Sequence, residues 1–247
     1  MNTEPPTSAS RRDFLKTAAA AIAAPCFVPT NVLGAAGQPP PSGRIRLGLI
    51  GCGGMGRANL NNCAEHPDVV VTGACDPWKS RRDAVVAQFK ETCRPYADYR
   101  EMLQQPDLDA VIIASPPHWH ALQAIAACAA GKDIYLQKPM TLHLGESLAV
   151  RNAVRRHNVI SQIGTQIHAG DNYRRVVEFI RSGNLGRIGT VRTFNVMNQS
   201  PDGVGHASDL RLPDGLDWDF WCGPAALCDY NPDRKSTRLN SSHESPS

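Results

Sequence analysis

Short apolar runs alternate with amphipathic stretches from residue 45 to residue 163. Ile45–Ile50 is an apolar-rich run, a glycine cluster follows it directly, and a helical pattern begins at Arg57. Val69–Cys75 predicts a second strand that ends at Asp76. Residues 111–114 are continuously apolar, as a strand buried on both faces should be. Leu122, Ile125, Ala126 and Ala129 then recur at helical spacing, and Gly131 closes that helix. Residues 133–136 and 159–163 predict two more strands, with a helix over 146–157 between them. Alternation of this kind predicts an α/β fold, a Rossmann-type doubly wound parallel sheet. Ligands of such sheets sit at the carboxyl ends of the strands. The segments just after strands therefore matter most: residues 115–120, 137–139 and 164–166.

Beyond this unit, Tyr173, Val176, Val177 and Ile180 give an amphipathic helix ending at Gly183. A strand-like run over 190–197 follows. We read residues 44–166 as a nucleotide-binding Rossmann domain and 167–232 as the start of a truncated α/β substrate domain. Residues 233–247 contain one aliphatic side chain, Leu239, too few for a buried face. Their opening D-R-K-S-T-R-L-N-S-S-H resembles a translated sequencing adapter, so a non-native tail on a C-terminally truncated chain is expected.

The N-terminus has a different character. Arg11 and Arg12, followed by Phe14, Leu15 and Lys16, precede a run of small apolar residues over 18–24. That run is far shorter than the ~20 residues needed to span a bilayer. The paired arginines fit a twin-arginine signal peptide over 1–36, with cleavage near 33–35 and a Pro/Gly-rich linker over 37–43. The implied partner is the twin-arginine translocation machinery, and the implied destination is the periplasm or the medium. Cys26 is a poor lipoprotein site because Pro25 precedes it.

Charge and cysteine usage remove other function classes. A net charge of +3 without a basic stripe argues against nucleic-acid binding. Eight cysteines form no C-x-x-C pair and no zinc spacing, so no metal site is expected. Their positions single out no disulfide, even for an exported chain.

The chemistry concentrates in the glycine cluster. Gly51, Gly53 and Gly56 form G-x-G-x-x-G between a strand and a helix, with Cys52, Gly54 and Met55 interleaved. The first glycine permits a tight turn, the second lets backbone approach a pyrophosphate, and the third lets the helix pack on the strand. Unpaired N–H groups at the helix start then face the phosphates. Asp76 stands where a carboxylate accepts hydrogen bonds from the adenosine ribose, which favours NAD over NADP. It could equally cap the turn at Pro77. Lys79, Arg81 and Arg82 offer cations that would accommodate the extra phosphate of NADP.

Four motifs carry a wider resemblance: S-P-P-H-W-H at Ser115, Y-L-Q-K-P at Tyr135, G-T-Q at Gly164 and D-W-D-F-W-C-G-P at Asp217. Together with the glycine loop they resemble the secreted bacterial branch of the glucose–fructose oxidoreductase/inositol dehydrogenase family (Gfo/Idh/MocA). The resemblance implies an NAD(P)-dependent oxidoreductase, acting on a sugar or polyol, whose complete form is a homo-oligomer. It places Lys138 at the nicotinamide and the reacting hydroxyl as the catalytic residue, and Ser115, Pro116, His118 and Gln137 beside the cofactor. Gln137 departs from the pattern, since Glu is commoner there and would hold Lys138 charged. His118 lines the nicotinamide side or packs locally at a helix start. Gln166 contacts substrate or caps the domain junction. Trp218 and Trp221 form a sugar-stacking wall or belong to the core. A downstream Asp/His motif of the family has no counterpart in this chain. Two other readings stay open: NAD-dependent glycoside cleavage through transient oxidation, and nucleotide binding without turnover, which suits an incomplete chain.

Overall fold

The structure, a computed structural model, describes residues 39–40, 43–166, 170–192 and 211–230. The described residues from Ile45 onward belong to one compact unit. Its centre is a six-stranded, all-parallel sheet: β1 (Ile45–Ile50), β2 (Val69–Cys75), β3 (Arg94–Tyr96), β4 (Ala110–Ile113), β5 (Asp133–Gln137) and β6 (Ser161–Gly164). The strand order is β3-β2-β1-β4-β5-β6. Winding reverses between β1 and β4, which opens a crevice at their carboxyl ends.

The β4 residues show why an unbroken apolar run is needed. Val111 and Ile113 point into one core cluster and Ile112 into another, and none of the three is exposed. Helices α4 (Pro117–Ala129) and α5 (Leu144–His157) cover the first face through Ala121, Ala124, Ala127, Val150 and Ala153. Helices α1 (Gly54–Ala64) and α2 (Lys79–Gln88) cover the second through Leu60 and Val85. Glu146 accepts from the backbone N–H of His143 and caps α5, and Asn158 ends it in the left-handed conformation.

Several boundaries differ from the sequence expectation. α4 starts at Pro117, five residues before its apolar stripe, because proline suits a first helical position. β6 begins two residues later than predicted and reaches Gly164. β3, α2 and the five-residue α3 (Tyr99–Leu103) carry no apolar periodicity and were not foreseen. Helix α6 (Asp171–Arg181) forms as expected but buries none of its residues. Residues 190–192 are not strand. The rest of that predicted strand, the signal peptide and the tail lie outside the described residues. A last short helix, α7 (Trp218–Cys222), carries the D-W-D-F-W motif.

Candidate functional site

The glycine loop closes the crevice between β1 and α1. Gly51 has φ +90°, and a Cβ there would lie 2.5 Å from the Ser115 nitrogen. A Cβ on Gly56 would meet the Gly51 carbonyl oxygen at 2.0 Å. Both positions therefore admit glycine alone, the first for its backbone angle and the second for helix–strand approach. Gly53 faces open space, with only the Arg81 guanidinium at 3.7 Å from a notional Cβ. The start of α1 thus presents N–H groups to the cavity beside Gly54 and Met55.

Asp76 ends β2 and is 4% exposed. Its Oδ2 accepts from the Cys52 N–H at 2.8 Å and its Oδ1 from the Trp78 N–H at 2.8 Å. Burial pushes its pKa above the ordinary aspartate value, while those N–H groups, Arg81 and Arg82 oppose the shift. The turn-capping and cavity-lining roles coexist, because each oxygen keeps a second acceptor site. The three nearby cations separate clearly. Lys79 pairs with Asp83, Arg82 donates to the Asp76 carbonyl at 2.9 Å, and Arg81 lines the cavity while stacking 4.6 Å from the Trp78 ring centre.

After β4, Ser115 and Pro116 form the far wall. Ser115 Oγ donates to buried Gln123 at 2.5 Å. The cavity so enclosed measures about 350 Å³, within the range of ligand sites. Its remaining wall is aromatic: Tyr99, Trp119, Phe220 and Trp221. The last two come from far along the chain. Backbone bonds dock their segment on the β2–α2 turn, Lys79 N–H to Gly215 at 2.8 Å and Asp217 N–H to Pro77 at 3.2 Å. The Trp221 carbonyl accepts from Trp119 Nε1 at 3.1 Å and lies 3.0 Å from His118 Nε2.

Two side chains with open readings, His118 and Trp218, have defined surroundings. His118 faces the Trp221 carbonyl rather than the cavity, so it fastens α4 to the α7 segment. Trp218 is 9% exposed, stacks on Trp221 at 4.7 Å and donates to the Cys228 carbonyl at 2.7 Å. It is a core aromatic, and Trp221 is the one that reaches the cavity. Tyr99, Trp119, Gln123 and Phe220 went unnoticed in the sequence, although two of them stand inside the motifs quoted above.

At the end of β5, Gln137 is buried and its Oε1 accepts from the Lys138 N–H at 3.1 Å. Lys138 itself is exposed. Gln166 is exposed and its amide nitrogen lies 4.0 Å from the Met55 sulfur, which brings it to the glycine loop. His120, also overlooked, is 1% exposed. Its Nδ1 lies 2.7 Å from the Pro139 carbonyl oxygen and its Nε2 2.9 Å from that of Ser115. One ring therefore joins the cofactor-side loop to the Lys138 loop. Burial lowers its pKa, against the pull of those carbonyls. Among the described residues no group of three His, Cys, Asp or Glu side chains could hold a metal ion.

Known proteins match this arrangement. Residues 45–165 match the Gfo/Idh/MocA model, described as an oxidoreductase family with an NAD-binding Rossmann fold. Residues 8–27 match the signal sequence of the twin-arginine translocation pathway, which directs export across the membrane. The chain is 31% identical over 148 residues to a scyllo-inositol 2-dehydrogenase (NAD(+)) of Bacillus subtilis, covering 58% of this chain and 42% of that one. It is 26% identical over 201 residues to a glycosyl hydrolase family 109 protein of Shewanella baltica, covering 72% and 44%. Among solved structures it resembles the WlbA dehydrogenase of Bordetella pertussis in complex with NADH and UDP-GlcNAcA. There the TM-score is 0.55 at 27% identity, covering 59% and 44%. The chain spans less than half the length of the curated relatives it matches.

Proposed function

Residues 45–165 belong to the Gfo/Idh/MocA oxidoreductase family, and on that premise we propose that the protein transfers a hydride between NAD and a sugar or polyol. The observation that carries this reading is the convergence of the glycine loop, Asp76 and Ser115 on one cavity at the switch point of the sheet. The residues present fit a dinucleotide: a Cβ-free loop, free helix N–H groups for phosphate, and a carboxylate with spare acceptor sites for ribose hydroxyls. Bound NAD would supply the hydride acceptor.

The chain's own residues would do the rest. Gly53, Gly54 and Met55 hold the pyrophosphate, while Asp76 orients the ribose and disfavours a 2′-phosphate by charge. Ser115 and Pro116 hold the far wall, and buried Gln137 fixes the backbone from which Lys138 projects. Lys138 Nζ stabilises the substrate oxygen as its proton leaves, a role that needs the ammonium near the reacting hydroxyl. Gln166, exposed beside Met55, would contact a substrate hydroxyl.

A second reading is favoured by a specific observation. The match to the family 109 glycosyl hydrolase protein runs over 201 residues, against 148 for the inositol dehydrogenase. Transient sugar oxidation followed by glycoside cleavage would use the same cavity and the same lysine.

Tryptophan fluorescence tests nucleotide binding directly, because Trp119 and Trp221 line the cavity. Saturable quenching of the 247-residue chain by NAD is expected, and no response to NAD or NADP overturns both enzyme readings. In activity assays, net NAD reduction by free polyols supports hydride transfer. Release of sugar from glycosides without net reduction supports the second reading, and Lys138→Ala should abolish either activity while sparing NAD binding.

A further inference from the structure

The two cysteines at the end of the aromatic segment form a pair that no local motif announces. Cys222 is 3% exposed, the last residue of α7, and packs in a small core with Leu216 and Trp218. Six residues later the chain returns, and Cys228 packs against that same small core. Cys228 is half-buried, so a reagent can reach it while its neighbour stays covered. The return is built, not incidental. Ala225 N–H donates to the Cys222 carbonyl at 3.0 Å, and Trp218 Nε1 donates to the Cys228 carbonyl at 2.7 Å. The other described cysteines sit elsewhere in the unit: Cys52, Cys75, Cys93 and Cys128 are buried in the sheet cores, and Cys63 lies on α1.

Position and destination then combine. The signal sequence at residues 8–27 takes the chain out of the reducing cytoplasm, and disulfides persist in the compartments beyond it. We propose that Cys222 and Cys228 form a disulfide after export, locking the segment that carries Phe220 and Trp221 against the cavity. The oxidant is a protein disulfide of the export compartment. The Cys228 thiolate attacks one of its sulfurs, forming a mixed disulfide and releasing one oxidant thiolate. Cys222, deprotonated in turn, attacks the Cys228 sulfur and expels the second oxidant thiolate. Two cysteine thiols are oxidised, one oxidant disulfide is reduced to two thiols, and the two protons pass to those thiols.

Closing this short loop would matter because the segment supplies one wall of the cavity through Phe220 and Trp221. The Trp221 carbonyl serves both Trp119 and His118, and a Cβ on Gly223 would strike the Trp119 ring at 2.0 Å. A covalent tie between Cys222 and Cys228 therefore fixes Gly223 and the last turn of α7 together. The proposal is independent of whether the protein transfers hydride or cleaves glycosides.

Mass spectrometry of the full chain decides it. No Lys or Arg lies between Arg211 and Arg234, so one tryptic peptide contains both cysteines. Chain recovered from the export compartment and alkylated under denaturing conditions should yield that peptide unalkylated and two hydrogens lighter than the dithiol. Reduction should then let it accept two alkyl groups. An Arg11→Lys, Arg12→Lys chain kept in the cytoplasm should be fully alkylated without reduction. Should export of the chain fail, incubating the purified reduced protein with glutathione disulfide gives the same readout. Both cysteines alkylated in the oxidised sample, or either one joined to a different cysteine, overturns the proposal.

Discussion

The backbone N–H of Cys52 donates to Asp76 Oδ2 across 2.8 Å, so the glycine loop and the end of β2 form one hydrogen-bonded unit. The same carboxylate takes the Trp78 N–H with its other oxygen, which orients the turn that leads to Arg81. One buried residue thus sets the glycine loop, the turn after β2 and the approach of the nearest cation.

Replacing Asp76 tests that unit. Asp76→Ala leaves two N–H groups without their acceptor and should cost about 1–3 kcal/mol of stability in urea unfolding. NAD affinity should fall at least about tenfold, close to 1.4 kcal/mol. The pH dependence has a definite sign. Burial raises the folded-state pKa, so the neutral carboxyl is favoured by folding. Its stabilising effect is present below the unfolded value of 3.8 and is lost as pH rises through the folded value. Under the role proposed for Asp76, cofactor affinity runs the other way, because the carboxylate is the form that accepts hydroxyl donors. NAD titrations should weaken on acidification at a pH above 3.8, and the step should vanish in Asp76→Ala.

Gly56→Ala should be more severe for the site than for the fold. The new methyl would press on the Gly51 carbonyl at 2.0 Å and on Leu49 and Ala114 at 3.2 Å. Pushing α1 away from β1 should cost about 1–3 kcal/mol and misalign the N–H groups meant for phosphate. Calorimetric titration should find NAD binding reduced beyond detection while circular dichroism keeps the α/β spectrum. Retention of full affinity would mean that the loop does not hold the pyrophosphate.

Local features were legible in the sequence and distant pairings were not. The glycine loop and Asp76 follow from fixed spacings within one strand–turn–helix unit, so no knowledge of the fold is needed to read them. β3 escaped notice because it has three residues, one of them Pro95, and sits at the sheet edge where proline is tolerated. α2 escaped because it buries only Val85 and shows no apolar stripe. The Trp119–Trp221 contact spans 102 positions, and nothing near either residue announces it. Trp218 and Trp221 look equivalent in sequence, yet one is buried in a core and the other faces the cavity.

His120 should make the fold sensitive to mild acid. Its two nitrogens face two carbonyl oxygens, so a neutral ring donates to only one and the imidazolium to both. Burial outweighs that gain and lowers the folded pKa below the ordinary 6.5. The neutral ring's contribution is therefore present above the unfolded value and lost as pH falls through the folded one. Urea midpoints should drop between pH about 7 and about 5, a range set by the histidine value, and flatten in His120→Gln. His120→Ala should cost about 2–4 kcal/mol at neutral pH through a cavity and an unpaired carbonyl.

Arg81 should report cofactor choice. Of the three cations after Asp76 it alone lines the cavity, poised by stacking on Trp78. A charge-assisted bond to a 2′-phosphate contributes about 1.5–3 kcal/mol, so Arg81→Ala should weaken NADP binding by roughly 10- to 100-fold. NAD, which lacks that phosphate, should change by less than about threefold, under 1 kcal/mol. Equal losses for both nucleotides would place the guanidinium on the pyrophosphate instead.

The aromatic wall makes the most discriminating prediction, because it tests whether residues outside the Rossmann segment shape the cofactor site. Asp76, the residue proposed to orient the ribose, lines the same cavity as Phe220, Trp221, Trp119 and Tyr99. Phe220 packs on Trp119 at 5.2 Å and stands 5.7 Å from the Arg100 guanidinium, so its ring is held in place. Adenine stacked on such a wall gains about 1–3 kcal/mol. Phe220→Ala and Trp221→Ala should therefore weaken adenosine diphosphate-ribose and NAD together, by roughly tenfold or more. Trp218→Phe, a change in the adjacent core that leaves the cavity lining intact, should leave both affinities near the parent values. If the two wall variants bind NAD more tightly, the α7 segment obstructs the adenine position. The site would then need that segment to move before the cofactor enters.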